Sequence, residues 1–492
     1  MSYIEVEEGR ALYAEVTVEQ PVVVVEGVEE PKLPLRVGGT FMIKDGDIRL
    51  SLVRFDEFFH VADETHLIAR TEKNWTASLY DLVPGGSGQL GHTDLTTYHQ
   101  TILVNTALVG WEPWLPEYRT RRTVFRVPGA DYLMRHRSTF DGMANNKFGA
   151  EQDHMAVDAT VMGGRVRIYY NASGSMDSDY AKEVWPVVEL EFDELQPLQE
   201  MRRRVITFLR FLSSLSLNVF TAGEQIVSHL SHDEWIKEAH EGNNPPDFSV
   251  YYYEGRKRAP VTDARLHGSY ALLHDDDERT AFVDCLVEWF ARNDRWEGAA
   301  SAMMDAFSLD DVMSPNRLLN ATKWIESTPG AAAKQAMEER HVVALASLLS
   351  RHAIRLGYEK LLGRLKNSLR RIAEEQNADR FVRLVAELKA TFGDKVVGDD
   401  LAAWVAEAFT LRGKAAHRPI ISQTDEEYEL FAKAVYAAEC FAYLMLIREL
   451  PMCERGRKRA TSSAMVEYYR LEIKGIWPKD MKVKGRGKCL AT

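Results

Sequence analysis

The sequence predicts an α+β chain of several domains, in which a β-rich domain of sandwich or jelly-roll type is followed by an all-helical bundle. Short apolar runs between turn residues occupy residues 1–193. The apolar spacing becomes helical near Pro197, and helix start and stop signals dominate beyond residue 315. A chain of 492 residues is too long for a single core, so more than one domain is expected.

These changes of pattern divide the chain into four segments. They are a β-rich sensor or regulatory domain at residues 1–193, a mixed and mainly helical region at 194–312, the helical bundle at 313–452 and a basic C-terminal tail at 453–492.

Within the β-rich domain, glycine-containing turns predict hairpins at Asp45-Gly46 and Gly163-Gly164. A later run alternates apolar and acidic residues, as expected of a strand with one face in solvent. The run contains Val188, Glu189, Leu190, Glu191 and Phe192.

Helices dominate the rest of the chain. An apolar stripe predicts a helix from Leu198 to about Leu215, and strand-like residues 248–253 precede a helical run at 278–306. Ser314 and Pro315 form a helix start, and Thr424 with Glu427 forms a capping box. The predicted helices of the C-terminal part span about residues 316–326, 335–375, 380–389, 400–411 and 426–450.

Composition restricts the class of protein. A net charge of -12 argues against coating nucleic acid by bulk attraction, so any nucleic-acid site must be local. The four cysteines form no metal-ligand pattern, the N-terminus does not resemble a signal peptide, and the apolar run at 441–447 is too short to span a bilayer. We therefore expect a cytoplasmic protein without a metal or cofactor.

Two patterns resemble sites without their usual context. Gly86 to Gly91 matches the letters GxGxxG, but a strand-like sequence follows where dinucleotide binding needs a helix, so a loop turn is expected. His229 and His232 have helical spacing, and His274 to Glu278 is rich in acids, yet neither completes a metal shell. The acidic run is interpreted as a solvated helix start.

The third pattern, Arg412-Gly-Lys-Ala-Ala-His417, closes the helix predicted at 400–411. On a regular helix the side chains of Arg412 and His417 would point about 140° apart, so a shared site needs the loosening that Gly413 permits. By these letters alone, Arg412 and Lys414 are also ordinary cations at a helix end.

A penultimate helix that ends in R-xxxx-H before a long last helix resembles the HEPN superfamily of ribonucleases. Within it, the chain is most similar to the ApeA-like bacterial antiphage proteins. Arg317 to Glu326 looks like the first bundle helix with its closing Glu, and Tyr358 to Leu365 looks like the second. The superfamily often has Asn after the motif Arg, where this chain has Gly413.

The resemblance implies metal-independent cleavage of host or phage RNA, with tRNA as a candidate target, in bacterial antiphage defence. It implies that His417 is the acid/base, that Arg412 orients the phosphate and stabilises its charge, and that Lys414 gives electrostatic support. It also implies a homodimer in which two motifs form one groove, and a phage-derived trigger.

Two alternatives remain open from the residues. One is a non-catalytic HEPN-like module that binds RNA or a nucleotide or dimerises. The other is a β-sandwich ligand-binding protein with a helical scaffold, in which Arg412 and His417 are structural.

Overall fold

The computed structural model divides into two compact units, Met1–Leu209 with Phe220–Ala264, and Arg210–Val219 with Arg265–Thr492. We call them the β unit and the helical unit. The residues described are 4–18, 23–25, 28–30, 35–44, 46–55, 59, 61, 66–92, 95–145, 154–174, 181–243, 245–253, 273–307, 313–415 and 424–474.

The strands of the β unit are antiparallel. They are β1 (Leu12–Val18), β2 (Val23–Val25), β3 (Val28–Glu30), β4 (Leu35–Lys44), β5 (Asp47–Phe55), β6 (His66–Thr71), β7 (Thr76–His92), β8 (Leu95–Gly110), β9 (Thr120–Arg126), β10 (Met155–Val161), β11 (Gly164–Gly174), β12 (Ala181–Gln196), β13 (Gly223–Ser228) and β14 (Phe248–Tyr252). Apart from the β2–β3 pair, these described strands join one sheet.

Six strands close into a barrel in the order β1-β4-β5-β8-β7-β6. Closure depends on β8, which pairs with β7 on one edge and with β5 and then β14 on the other. The barrel interior is filled by apolar side chains such as Val16, Phe41 and Leu50. The β-rich class is thus confirmed, but a barrel occurs where a sandwich or jelly roll was expected, since the sequence pattern does not say which edges pair.

From β14 the sheet continues through β13, β9, β12, β11 and β10. The β unit also contains α1 (Arg137–Asn145), α3 (His232–His240) and most of α2 (Leu198–Ser216). Phe208 of α2 packs edge-on against Phe125 of β9, so the stripe predicted from residue 198 covers this extension of the sheet.

The helical unit contains a bundle centred on α10. The helices are α4 (Asp276–Phe307), α5 (Pro315–Ser327), α6 (Glu339–Arg355), α7 (Leu362–Ala373), α8 (Asn377–Phe392), α9 (Leu401–Ala415), α10 (Asp425–Arg448), α11 (Glu454–Thr461) and α12 (Ala464–Lys474). Helix α10 packs against α5, α8, α9 and α12, and α5 also packs against α4. The segment predicted as a basic tail contains α11 and α12.

By length and composition α10 could cross a membrane, because an 18-residue window within Glu426–Arg448 has a mean hydropathy of 1.6. However, 83% of this apolar window is buried inside the protein. Helix α10 therefore has the environment of the core helix of a bundle.

Several predicted elements occur as expected. Ser314 caps α5 through the backbone N–H of Arg317, and Thr424 with Glu427 forms the capping box of α10. Both hairpins are present, with positive φ at Gly46 and Gly163. These signals are local, so the sequence alone specifies them.

Two predictions of secondary structure are wrong. The helix expected over 335–375 is interrupted, since Gly357 adopts a φ of +79° between α6 and α7. The segment Gly86 to Gly91 is not a loop turn but part of the long strand β7. Its pairing with β8 supplies the backbone hydrogen bonds that a loop would lack.

Candidate functional site

Arg412 lies in the last turn of α9. Val405, Ala408 and Leu411 are buried on the inner face of this helix, and this packing fixes the rotation of α9 about its axis. With that rotation the Arg412 side chain reaches the end of α5. The C-terminal end of a helix favours a cation, so Arg412 is electrostatically well placed there.

The partner of Arg412 is Glu326, in the last turn of α5. Nη1 of Arg412 lies 2.6 Å from Oε1 of Glu326. Buried Trp324 and Ile325 hold this end of α5 in the bundle. The Arg412 side chain is 32% exposed, and a guanidinium has five N–H donors, so the ion pair leaves capacity for a further anion.

Helix α8 closes the third side of the site. The guanidinium of Arg412 lies 5.9 Å from the ring centroid of Phe409, which itself lies 5.1 Å from the ring of Phe381. The neighbouring Arg380 is buried, which lowers its pKa, while the charge of Glu326 acts in the opposite direction. Two guanidinium groups therefore act on the single carboxylate of Glu326.

The remaining predicted site residues belong to the end of α9 and the segment after it. Lys414 is exposed, in keeping with a supporting charge. A Cβ added to Gly413 would meet no atom within 4 Å, so the absence of a side chain there is not a steric requirement. His417, the predicted acid/base, lies outside the residues that the structure describes.

A buried ion pair fixes the framework of this site. Arg317 of α5 donates from Nε and Nη2 to the two carboxylate oxygens of Glu439 in α10, at 2.7 and 2.8 Å. Both side chains are nearly inaccessible, so removing one partner would leave an uncompensated charge in the core. This pair holds α5 against α10, and sequence reasoning missed it because charged residues are expected at the surface.

A second missed cluster lies in the β unit, around Glu189 of β12. Glu189 was predicted to face solvent, but it is fully buried. Arg167 of β11 lies 2.6 Å from Oε1, Arg122 of β9 lies 3.4 Å from Oε2, and Nδ1 of His232 lies 2.9 Å from Oε1. The alternating pattern was wrong here because the sheet is covered on both faces at this point.

Electrostatics explain how a carboxylate is kept in that interior. Burial acts to raise the pKa of Glu189, but the hydrogen bond from His232 and the charges of Arg122 and Arg167 outweigh it, so the pKa is lowered. Asp247 extends the network, accepting from Nε1 of Trp235 at 3.1 Å. With its charges mutually paired and little exposed, this cluster has the character of a structural network.

The other patterns do not form sites. His232 contacts Glu189 instead of pairing with His229, and the residues described contain no group of three metal-ligating side chains. Glu278, expected at a solvated helix start, is buried and forms an ion pair with Arg459. The expectation of solvent exposure was wrong for Glu278, while Asp275 does cap α4 through the N–H of Glu278.

Comparison with family models, curated proteins and solved structures finds no match for this chain. Assignment of the site therefore depends on the arrangement of Arg412, Glu326 and their neighbours.

Proposed function

We propose that the helical unit is a metal-independent endoribonuclease of HEPN type that acts in bacterial antiphage defence on host or phage RNA. The observation that carries the proposal is the Arg412–Glu326 pair, with 2.6 Å between the guanidinium and the carboxylate. The two side chains belong to the two sequence segments, Arg317 to Glu326 and Arg412 to His417, on which much of the resemblance to the superfamily rests.

The proposed reaction needs two protein groups. The 2′-hydroxyl of the RNA attacks the adjacent phosphorus while the bond from phosphorus to the 5′-oxygen breaks, giving a 2′,3′-cyclic phosphate and a 5′-hydroxyl. His417 moves the proton, because an imidazole titrates near neutral pH. Arg412 binds the phosphate oxygens and stabilises their growing charge through its planar set of donors.

The environment of Arg412 supports this role in three ways. Glu326 restrains its rotamer, so less conformational entropy is lost when a phosphate binds. Its partial exposure leaves it accessible to a large substrate. Lys414, two residues further on, adds positive charge on the exposed side of α9.

The test is cleavage of total RNA by the purified full-length protein in the presence and absence of a chelator. We expect chelator-resistant cleavage, products with 5′-hydroxyl ends, and no cleavage of DNA with the same sequence as a cut RNA, because DNA lacks the attacking hydroxyl. Binding of RNA without cleavage would favour the non-catalytic module, and neither binding nor cleavage would favour the structural role of Arg412 and His417.

The decisive variants are His417→Ala and Arg412→Ala, with His240→Ala and Arg295→Lys as controls at exposed helix positions outside the site. An acid/base group contributes about 10²–10⁴-fold, so His417→Ala should lower the cleavage rate by that factor while both controls cleave normally. Wild-type cleavage by His417→Ala would remove His417 from the mechanism.

A further inference from the structure

Helices α6 and α7 form a hairpin that projects from the bundle, and we call residues 339–373 the basic arm. Among the described residues, α6 and α7 pack against each other and make no extended contact with another helix. The base of the arm is joined by a β-bridge between Gln335 and Glu374. The resemblance placed Tyr358 to Leu365 in the bundle, but this segment forms the turn and the start of the second helix of the arm.

The base of the arm is firmly attached. Arg383 of α8 donates to both carboxylate oxygens of Glu375, at 2.9 and 2.8 Å. The hydrogen bonds from Arg383 lower the pKa of Glu375 to about 2, so the pair remains ionised at any physiological pH. The arm is therefore held at its base while its 17-residue first helix extends about 25 Å.

Charge distinguishes the arm from the rest of the chain. It contains eight Lys or Arg and two Glu, which gives a net charge of +6. Since the whole chain has a net charge of -12, the rest of the chain has a net charge of -18. Among the side chains that the structure describes, the exposed cations of the arm are Arg340, Arg351, Arg355, Lys360, Arg364 and Lys366. An arm of this charge is attracted to an acidic surface, and two arms would repel each other.

The arm also exposes large apolar side chains. Val343 and Leu348 are each 61% exposed, and Leu345 and Leu349 lie on the same helix. Leu356 and Tyr358 are exposed in the turn. Leu345, Leu348 and Leu349 have the i, i+3, i+4 spacing of one helix face, and exposed apolar side chains grouped in this way indicate a partner that removes them from water. RNA would neutralise the charge but leave these side chains hydrated, so an acidic partner that is also apolar fits better.

The first two turns of α10 provide such a surface. Glu426 and Glu429 are exposed there, and so are Tyr428 and Leu430, although most of α10 beyond them is core. Acidic residues are ordinary at a helix start, but exposed Tyr and Leu beside them are not explained by the helix dipole. Within one chain the described residues of the arm make no extended contact with α10.

We propose that the basic arm of one protomer docks on the acidic, apolar start of α10 of a second copy of this chain. Opposite charges would meet around Arg351 and Glu429, and the leucines of α6 would pack with Tyr428 and Leu430. Association of this kind can be measured without RNA and without cleavage, so it stands or falls separately from the proposed function.

The test is the mass of the full-length protein in solution, measured by light scattering over a concentration series. We expect a dimer for the wild type and at least tenfold weaker association for Arg351→Glu with Arg355→Glu, and also for Glu426→Arg with Glu429→Arg. The protein carrying all four substitutions should recover the dimer, because the two reversed surfaces are again complementary. Arg295→Glu is the matched control for reversing an exposed charge on α4.

Leu348→Ser tests the apolar part at a position exposed enough that the fold should tolerate it, and it should also weaken the dimer. Absence of rescue by the four-fold variant would overturn the proposal. The proposal would also be overturned if Arg351→Glu with Arg355→Glu kept the wild-type mass but lost binding to phosphatidylserine vesicles or to RNA. Loss of vesicle binding would assign the arm to a lipid surface, and loss of RNA binding would assign it to nucleic acid.

Discussion

The chain places a carboxylate among cations in each of its two units, with different consequences. In the β unit Glu189 is fully buried and contacts Arg122, Arg167 and His232. In the helical unit Glu326 is 44% exposed and contacts Arg412, itself 32% exposed. The first network is almost closed to solvent, whereas the second opens on it.

This difference separates a structural network from a candidate site. A buried, mutually paired network has no capacity for a ligand, and its members are costly to remove one at a time. A half-exposed Arg contributes little to stability through its ion pair but can exchange or share that partner with an anion. Substitutions should therefore affect folding in the β unit and affect chemistry, with little change in folding, at Arg412.

The largest effect is expected for Glu189→Ala. The substitution leaves Arg122 and Arg167 as buried cations without their shared partner, which typically costs about 3–5 kcal/mol. Hydrogen–deuterium exchange of peptides from β9, β11 and β12 should report faster opening of this part of the sheet. Glu183→Ala, on the exposed part of the same strand, should change stability by less than about 0.5 kcal/mol. Equal protection in Glu189→Ala and wild type would refute the structural role.

The next effect is expected for Arg412→Lys, which keeps the charge but loses the planar set of donors. Cleavage should fall by about 10²-fold, nearly as far as in Arg412→Ala, while the thermal unfolding midpoint stays close to that of the wild type. If Arg412 only complements the end of α9, lysine would serve as well, and full activity of Arg412→Lys would establish that simpler role. Arg295→Lys is the control for the same exchange on α4.

A smaller effect should appear as a pH dependence in the β unit. The pKa of Glu189 is lowered in the folded state. The ionised side chain therefore contributes fully to the free energy of unfolding above its unfolded pKa of about 4.3, and this contribution is lost as the pH falls through the pKa of the folded state. The stability difference between wild type and Glu189→Gln should thus shrink on acidification below about pH 4.3. The measurement is the hydrogen–deuterium exchange protection of β12 in both proteins at about pH 3 and about pH 6. A difference between wild type and Glu189→Gln that is the same at both pH values would contradict a lowered pKa of Glu189.

Local signals made much of the fold predictable. Ser314, Pro315 and Thr424 set the starts of α5 and α10, and Gly46 and Gly163 set two hairpins, because each acts on its immediate neighbours. Barrel closure was not predictable, since the pairing of β8 with three other strands depends on long-range register.

As with the fold, the parts of the candidate site that depend on local sequence were predictable and the contacts between distant residues were not. Arg412 and the helix end that carries it followed from the sequence, and the closing Glu of the first helix was noted only through the resemblance. The contact between Arg412 and Glu326 joins residues far apart in the chain, and the burial of Glu189 depends on α3 covering the sheet. Neither is encoded in a local pattern.

The smallest effect is expected at Gly413, where the chain has glycine and the superfamily it resembles often has Asn. Nothing lies within 4 Å of an added Cβ, so Gly413→Asn should fold normally, and replacing a helical glycine should change stability by less than about 1 kcal/mol. If a polar side chain at this position supports the phosphate or His417, cleavage by Gly413→Asn should rise a few-fold. Gly413→Ala is the control, because it replaces the helical glycine without adding a polar group. Cleavage rates of both variants, with circular dichroism as the check on folding, distinguish the two contributions. Equal rates for the Asn and Ala variants would mean that Gly413 affects the site only through the backbone.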